Sequence, residues 1–502
     1  VPLAADVAAS TTDPVSQIIV AAVLAAVFVV LALEKAHRVL VVFAAVAVLW
    51  LFTYLTPWRL IPFEAAVRAI DLNVLFLLAA MMTIVGVLKT TGVFPWAVAR
   101  LLGNAMGRPG RVQVQLAWFT GAVSAVADNV TTVVFVTPMA IEIARHTGVP
   151  AAAYLLPVVM AANIGGAATL IGDPPNIMIG SAAGLGFLDF VRYLGLPVLC
   201  MMAVLGWLAR RWFRSELTQS APAACPIPPP LQDPVLLRWA ALVAVFVFLG
   251  FATHTLTHMP VAVPAVIGAA ALLVVQDALY LRRHRPSHAE RVHGLLEVIE
   301  KEIEWPTLAF FAFLFIVVGA AVSTGLVDRL ATGLGGLVGV ASHGLGLSAQ
   351  GTLLLAALLI CWTSGILSAF LDNIPFVAVA IPVVTRLTAE LQGHPTLLWW
   401  ALAFGACLGG NATPVGASAN VTVTGLAEQA GHPISFGAFS RFGIRVAALS
   451  LAMASAFLAG YVYLGDGTTL ALTAALLALT GLGNVAWRRR EGRSVRRSAP
   501  PA

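Results

Sequence analysis

The sequence predicts an all-α polytopic membrane protein made of two inverted repeats, each with a re-entrant helical hairpin and a broken transmembrane helix. Of its 502 residues, 60% are hydrophobic and only 10% are charged, and the mean hydropathy is +0.92. That is too little charge to coat a soluble protein of this size. Apolar runs of about 18 residues or more, each able to cross a hydrocarbon core of roughly 30 Å as a helix, recur along the chain. Polar and helix-breaking motifs recur inside those runs at one fixed spacing, so the same unit is present twice.

Spans are read at 17–34, 39–57, 73–92, 151–180, 190–213, 235–252, 260–281, 306–325, 396–424, 438–464 and 467–486, about eleven full crossings. Four segments are rich in Lys and Arg and belong in the cytoplasm. They are Lys89 to Arg111, Arg210 to Arg214, Arg282 to Arg285, and the tail Arg488 to Arg497. Counting spans between these anchors puts the N-terminus outside and the C-terminus inside. It also requires 112–145 and 349–388 to enter and leave on the same side, as re-entrant hairpins. The chain then divides into an extracytoplasmic segment (1–16), a first repeat (17–213), a Pro-rich cytoplasmic linker (214–234), a second repeat (235–464), and an extra transmembrane helix with a basic tail (465–502). The broken helices fall at 151–180 and 396–424.

The halves align in sequence. Asp71 to Gly92 matches Glu304 to Gly325 at an offset of 233, pairing Gly86 with Gly319 and Thr91-Gly92 with Thr324-Gly325. Further on, an offset of 244 pairs Asp128-Asn129 with Asp372-Asn373, Pro138 with Pro382, Gly165-Gly166 with Gly409-Gly410, Thr169 with Thr413, Gly172 with Gly416, and Asn176 with Asn420. Apolar composition does not readily align Asp, Asn, Gly and Pro at one spacing.

These motifs carry the expected chemistry. Asp128, Asn129, Thr131 and Thr132 interrupt one apolar stretch; Asp372 and Asn373 interrupt the other. A carboxylate at that depth costs several kcal/mol unless it is paired, protonated or bound to a cation. At a hairpin tip, Asp, Asn and Thr oxygens beside helix-end backbone groups would form a proton or cation site, with Na+ expected at Asp128, Asn129, Asp372 and Asn373. The same aspartates also suit the N-cap of the second hairpin arm, and a cap can be a ligand as well. Asn163, Gly165, Gly166, Thr169, Asp173 and Asn176, with Pro174 and Pro175 among them, break span 151–180. Gly409, Gly410, Asn411, Thr413, Ser418 and Asn420 break span 396–424. Such breaks supply half-helix N-termini for substrate and carbonyls for a coupling ion; a simple kink or a close helix packing is the plainer alternative. Thr131-Thr132 becomes Pro375-Phe376 in the second copy, and Asp173-Pro174-Pro175 becomes Ala417-Ser418-Ala419. Ion coupling is therefore expected to centre on Asp128 and Asp173, although Asp173 also suits the cap of a half-helix beginning at Pro174.

Other features carry less. His254 and His258 are spaced i,i+4 but fall at an expected outer loop and are read as solvated, as are His284, His288 and His293 in a basic loop. The Gly-rich stretch 333–339 lacks the lysine and the βα context of a phosphate loop. Segments 93–104 and 327–340 read as paired interfacial helices. The cysteines Cys200, Cys225, Cys361 and Cys407 are scattered, with neither a disulfide framework nor a metal knuckle. Val1 to Gln17 lack the basic start of a cleavable signal. The pI near 9.5 comes from span-flanking residues, so no nucleic-acid partner is expected. No Ser/His/Asp or Cys/His constellation supports an enzyme, and no cofactor is expected beyond a coupling ion, H+ or Na+.

Taken together, the runs Ser124 to Thr132, Asn163 to Asn176, Asp372 to Phe376 and Gly405 to Asn420 resemble the ion transporter superfamily, in its arsenite permease and melanosomal P-protein branch. The resemblance covers roughly residues 17–464. Na+/H+ antiporters and dicarboxylate carriers belong to the same superfamily, and Asp128-Asn129 and Asp372-Asn373 stand where the latter carry Ser-Asn-Thr. The resemblance implies a scaffold, a moving part made of hairpins and broken helices, elevator-type motion and a homodimer in the lipid bilayer of the bacterial inner (plasma) membrane. The expected function is H+- or Na+-coupled antiport of a small inorganic solute, arsenite or another anion. A Na+/H+ antiporter and an anion channel are the alternatives.

Overall fold

A computed structural model describes residues 13–33, 35–103, 108–218, 231–284, 300, 302–391, 393–394, 396–475 and 477. Most of the linker, Cys225, His288, His293, the far part of span 467–486 and the basic tail lie outside the described residues. Among the described residues the chain is all helix and turn. Among the described residues, nineteen helices of seven residues or more precede a last one that starts at Asp466. They are α1 (Pro14–Ala32), α2 (Arg38–Leu55), α3 (Phe63–Ala69), α4 (Leu72–Thr90), α5 (Val93–Leu102), α6 (Pro109–Ser124), α7 (Asn129–Thr147), α8 (Ala152–Gly166), α9 (Pro174–Ala183) and α10 (Phe187–Trp212). Then come α11 (Pro234–Thr257), α12 (Ala262–His284), α13 (Trp305–Ser323), α14 (Leu326–Leu345), α15 (Ala349–Ser368), α16 (Asn373–Glu390), α17 (Leu397–Gly409), α18 (Ser418–Gln429) and α19 (Phe436–Tyr463).

Among the described residues, ten helical segments are long and apolar enough to cross a membrane: α1, α2, α4, α10, α13, α15, α16 and α19, with most of α11 and α12. Both arms of the second hairpin, α15 and α16, are among them. Spans 151–180 and 396–424 are each split, into α8 and α9 and into α17 and α18. The Gly-rich stretch 333–339 lies inside α14. His254 departs from its expectation: it is half-buried, and a Cβ added at Gly186 would lie 2.1 Å from its ring.

Local signals explain the starts and stops. Asp13 and Asp233 each precede a proline and cap α1 and α11; Asp233 accepts from Val235 N at 3.1 Å and Leu236 N at 2.9 Å. Helices α4 and α13 both end in Thr-Gly. Gly92 (φ +74°) and Gly325 (φ +70°) are left-handed, a conformation that L side chains resist. A Cβ at Gly92 would also meet Gln232 Cγ at 3.3 Å. Gly92→Ala is expected to cost about 1–2 kcal/mol, read as a lower melting temperature of the purified protein; an unchanged temperature would remove this turn's claimed role.

The copies pack across one another. Helix α2 of the first half lies on α13 of the second, and α12 of the second lies on α4 of the first. Inside, α6 packs on α8 and α10, and the counterparts α15, α17 and α19 repeat that arrangement. Half-helix α18 lies on α7, and half-helix α9 lies on α16. Each hairpin's second arm is thus joined to the other copy's broken helix.

Candidate transport site

Both hairpin tips are helix starts. Asp128 occupies the N-cap of α7; one carboxylate oxygen accepts from Thr131 N at 2.8 Å, and the other takes the Thr131 hydroxyl. Thr132 turns inward and donates to the Asp128 carbonyl at 2.9 Å. Asp372 caps α16 and accepts from Ile374 N at 3.4 Å. The capping reading of these acids therefore holds. Ser418, at the start of α18, donates to the other Asp372 oxygen at 2.6 Å.

The broken helices are tied to the hairpins by a set of bonds made twice. Ser124 donates to Ala162 O and Ser368 to Ala406 O, each at 2.7 Å. Thr169 donates to Ala125 O, and Thr413 to Ala369 O. Asn176 bridges its own break by donating to Thr169 O at 2.9 Å, as Asn420 does to Thr413 O at 2.8 Å. The bonds to Thr169 O and Thr413 O satisfy carbonyls inside the breaks, and those to Ala125 O and Ala369 O satisfy carbonyls at the C-caps of α6 and α15, a requirement at membrane depth. Glycine is needed where backbones touch. A Cβ at Gly165 would sit 2.2 Å from Gly121 O, and one at Gly409 would sit 2.2 Å from Gly365 O. Gly166 and Gly410 face Gly172 O and Gly416 O in the same way, at 2.6 and 2.7 Å.

The copies meet through buried polar side chains. Asn163 Nδ2 donates to Asn420 Oδ1 at 2.9 Å and Asn411 Oδ1 at 3.0 Å, and Asn163 Oδ1 accepts from Asn129 at 3.2 Å. The counterparts make the reciprocal contact: Cys407, which stands where the first copy has Asn163, lies 3.6 Å from Asn176 Oδ1. Such exchanged contacts are what a local two-fold relation produces. Asp173 sits at the N-cap of α9 without capping it. Its buried carboxylate instead accepts from Asn373 Nδ2 at 3.2 Å. This corrects the expectation that it would cap its own half-helix, because Asn373 reaches it from the other copy's hairpin. Asn411 Nδ2 is buried and has no hydrogen-bond partner. Asp128 and Asp372 both lie close enough to Asp173 for their charges to act on it, and Glu304 adds to the field at Asp128.

All eighteen residues singled out from the sequence lie on the hairpin tips or the breaks. Sequence reasoning missed Arg38 and Cys407. Arg38 lies in α2 and donates to Ser418 Oγ at 3.1 Å. Nothing marks it in the sequence, where it reads as a span-flanking charge. Cys407 was legible only as the partner of Asn163 at the offset of 244.

The fold and this paired core define a polytopic helical membrane transporter. A family model described as a citrate transporter, CitMHS, matches residues 28–405 and 349–488, and the chain belongs to that family, within the ion transporter superfamily. An uncharacterized transporter of Mycobacterium tuberculosis is 36% identical over 449 residues, covering 88% of this chain and 97% of the relative. The human P protein is 28% identical over 528 residues, covering 88% of this chain and 59% of its own length. In fold, the chain is similar to the YdaH transporter of Alcanivorax borkumensis, with a TM-score of 0.60 at 16% identity, covering 87% of this chain and 100% of the other. MtrF of Neisseria gonorrhoeae, of a class of antimetabolite efflux pumps, has a TM-score of 0.52 at 12% identity, covering 89% of this chain and 98% of its own.

Proposed function

We propose that the protein is a secondary active transporter that exchanges a small anion for H+ or Na+ by alternating access. The observation that supports this most is the pairing of three carboxylates, Asp128, Asp173 and Asp372, with two half-helices, α9 and α18, that start in the core without side-chain caps. Intramembrane acids mark ion pathways, and the uncapped start of α18 offers N–H groups to an anion, whereas α9 opens on Pro174-Pro175, which have none. The two functions divide between the copies. Asp173 at the start of α9 repels an anion, so the first copy, with Asp128, Asn129, Thr131 and Thr132, takes the coupling cation. The start of α18, where Ala417 and Ser418 replace the acid and the first proline, takes the anion, with Arg38, 3.1 Å from Ser418 Oγ, offsetting the Asp372 carboxylate beside it. That solute is arsenite or another small inorganic anion; the family description adds citrate as a candidate. Inverted repeats, an elevator-type movement, a homodimer, a bacterial plasma-membrane location and a cytoplasmic C-terminus complete the reading.

The acid content also favours a second reading, a Na+/H+ antiporter in which the same carboxylates bind the two cations in turn. Reconstituted protein under imposed H+ and Na+ gradients separates them, with arsenite and citrate as test solutes. Uphill movement of either solute is the expected result. Na+-driven H+ flux with no solute present favours the second reading, and purely downhill anion flux indicates a channel and defeats both. Asp128→Asn and Asp173→Asn are each expected to lower gradient-driven accumulation by about tenfold or more, a loss of about 1.4 kcal/mol or more in coupling. Coupled transport that survives both substitutions would overturn the site assignment.

A further inference from the structure

The two hairpin tips differ in what stands beside their acids. At the first tip Asp128 is met by Thr131 from its own arm; no ion pair forms there among the described residues, and Glu304 makes its surroundings more negative. At the second tip a cation of the protein is already in place. Arg38 reaches in from α2, its Nη1 bonded to Ser418 Oγ at 3.1 Å and 3.9 Å from Asp372 Oδ2. Its Nη2 donates to Thr307 Oγ1 at 3.0 Å, and Thr307 in turn donates to Glu304 at 2.9 Å. The guanidinium lies 5.7 Å from the centre of the buried Phe310 ring. Its position is thus set on two sides: by α13, which supplies Thr307 and Phe310, and by the second copy's hairpin and half-helix. A planar guanidinium fits this bridging role where a flexible ammonium would not hold both bonds.

We propose that Arg38 is the resident counter-cation of the second hairpin tip, filling there the role that a coupling cation fills at the first, and so confining cation binding to the first copy. This rests on the transporter reading above. Asp372 is balanced from outside its own hairpin, so any movement of the hairpin relative to α2 separates Asp372 and Ser418 from Arg38. The paired site is thereby asymmetric in charge as well as in sequence.

The test measures thermal melting of the full-length purified protein against Na+, with choline as the control ion, and against pH without Na+. A cation that binds the folded state raises the melting temperature with its concentration. Arg38→Gln is expected to gain cation-dependent stabilisation of several degrees beyond the wild type, through the exposed charge of Asp372. Arg38→Gln combined with Asp372→Asn is expected to lose that gain, and Arg38→Lys, which keeps the charge but not both bonds, is expected to melt lower overall while gaining no cation-dependent stabilisation over the wild type. A merely structural arginine would lower the melting temperature equally at all cation concentrations, and that result overturns the proposal, as does a gain that persists in the double variant. Where Arg38→Gln does not fold, Asp372→Asn alone decides. Its unbalanced guanidinium is expected to make melting rise with sulfate, relative to gluconate, by more than it does in the wild type, and a sulfate effect equal to the wild type's overturns the proposal. Coupled flux by the wild type without a gain in Arg38→Gln defeats only this inference; a gain without coupled flux defeats only the transporter mechanism.

Discussion

Asn163→Leu is expected to remove most of the protein's folding stability. The Asn163 amide donates to Asn411 and Asn420 and accepts from Asn129, so three elements from both copies converge on one buried side chain. Leucine is similar in size but leaves an amide N–H on Asn129 and two carbonyl oxygens on Asn411 and Asn420 without partners. Each buried orphan costs about 1–3 kcal/mol. Three of them approach the total stability of an ordinary domain, about 5–15 kcal/mol. Asn163→Cys is expected to be milder, because the second copy already places Cys407 at the equivalent position against Asn176. Thermal melting of purified variants checks the order. A leucine variant that melts with the wild type would show that the amide relay does not hold the copies together.

Gly165→Ala and Gly409→Ala are expected to be nearly as damaging, and for a different reason. Each new Cβ would stand 2.2 Å from a backbone carbonyl oxygen, of Gly121 and Gly365 respectively. The carbonyl belongs to the facing helix and cannot rotate away, so two helices must separate. Overpacking usually costs 1–3 kcal/mol, and contact against main chain puts these at about 3 kcal/mol or above. The facing glycines give the control. A Cβ at Gly121 meets Met202 Cε at 2.6 Å, and one at Gly365 meets Leu451 Cδ1 at 2.6 Å. Those are ends of flexible side chains that can move, and the backbone contact at Gly121, Ala161 O at 3.2 Å, is looser than the 2.2 Å at Gly165, so Gly121→Ala and Gly365→Ala are expected to melt above the other pair. Equal losses at all four positions would contradict this account.

Much of the site was legible because its chemistry conflicts with its surroundings. Asp, Asn, Gly and Pro inside apolar spans are costly unless they do something, so Asp128, Asn163, Asp173 and Asn176 stood out, as did their counterparts 244 residues on. The hairpin turns and helix breaks fall where those residues predicted them. The capping of α7 and α16 by Asp128 and Asp372 followed from local rules that span only a few residues. Arg38 had no such conflict to mark it, because an arginine at the start of a span resembles any interfacial charge. Its partners lie 269 and 380 residues away, beyond the reach of local patterns.

By itself, the sequence determined that the chain is an all-helical membrane protein, and which residues interrupt its apolar helices. Those properties depend on composition and on spacing along the chain. Only the tertiary structure decided who faces whom: Asn163 against Asn420, Asn373 against Asp173, and Arg38 against Ser418. The reason is physical. A side chain's preference for burial or for a helix end is local, whereas the pairing of polar groups across two copies depends on how their helices pack, and packing joins residues at any separation.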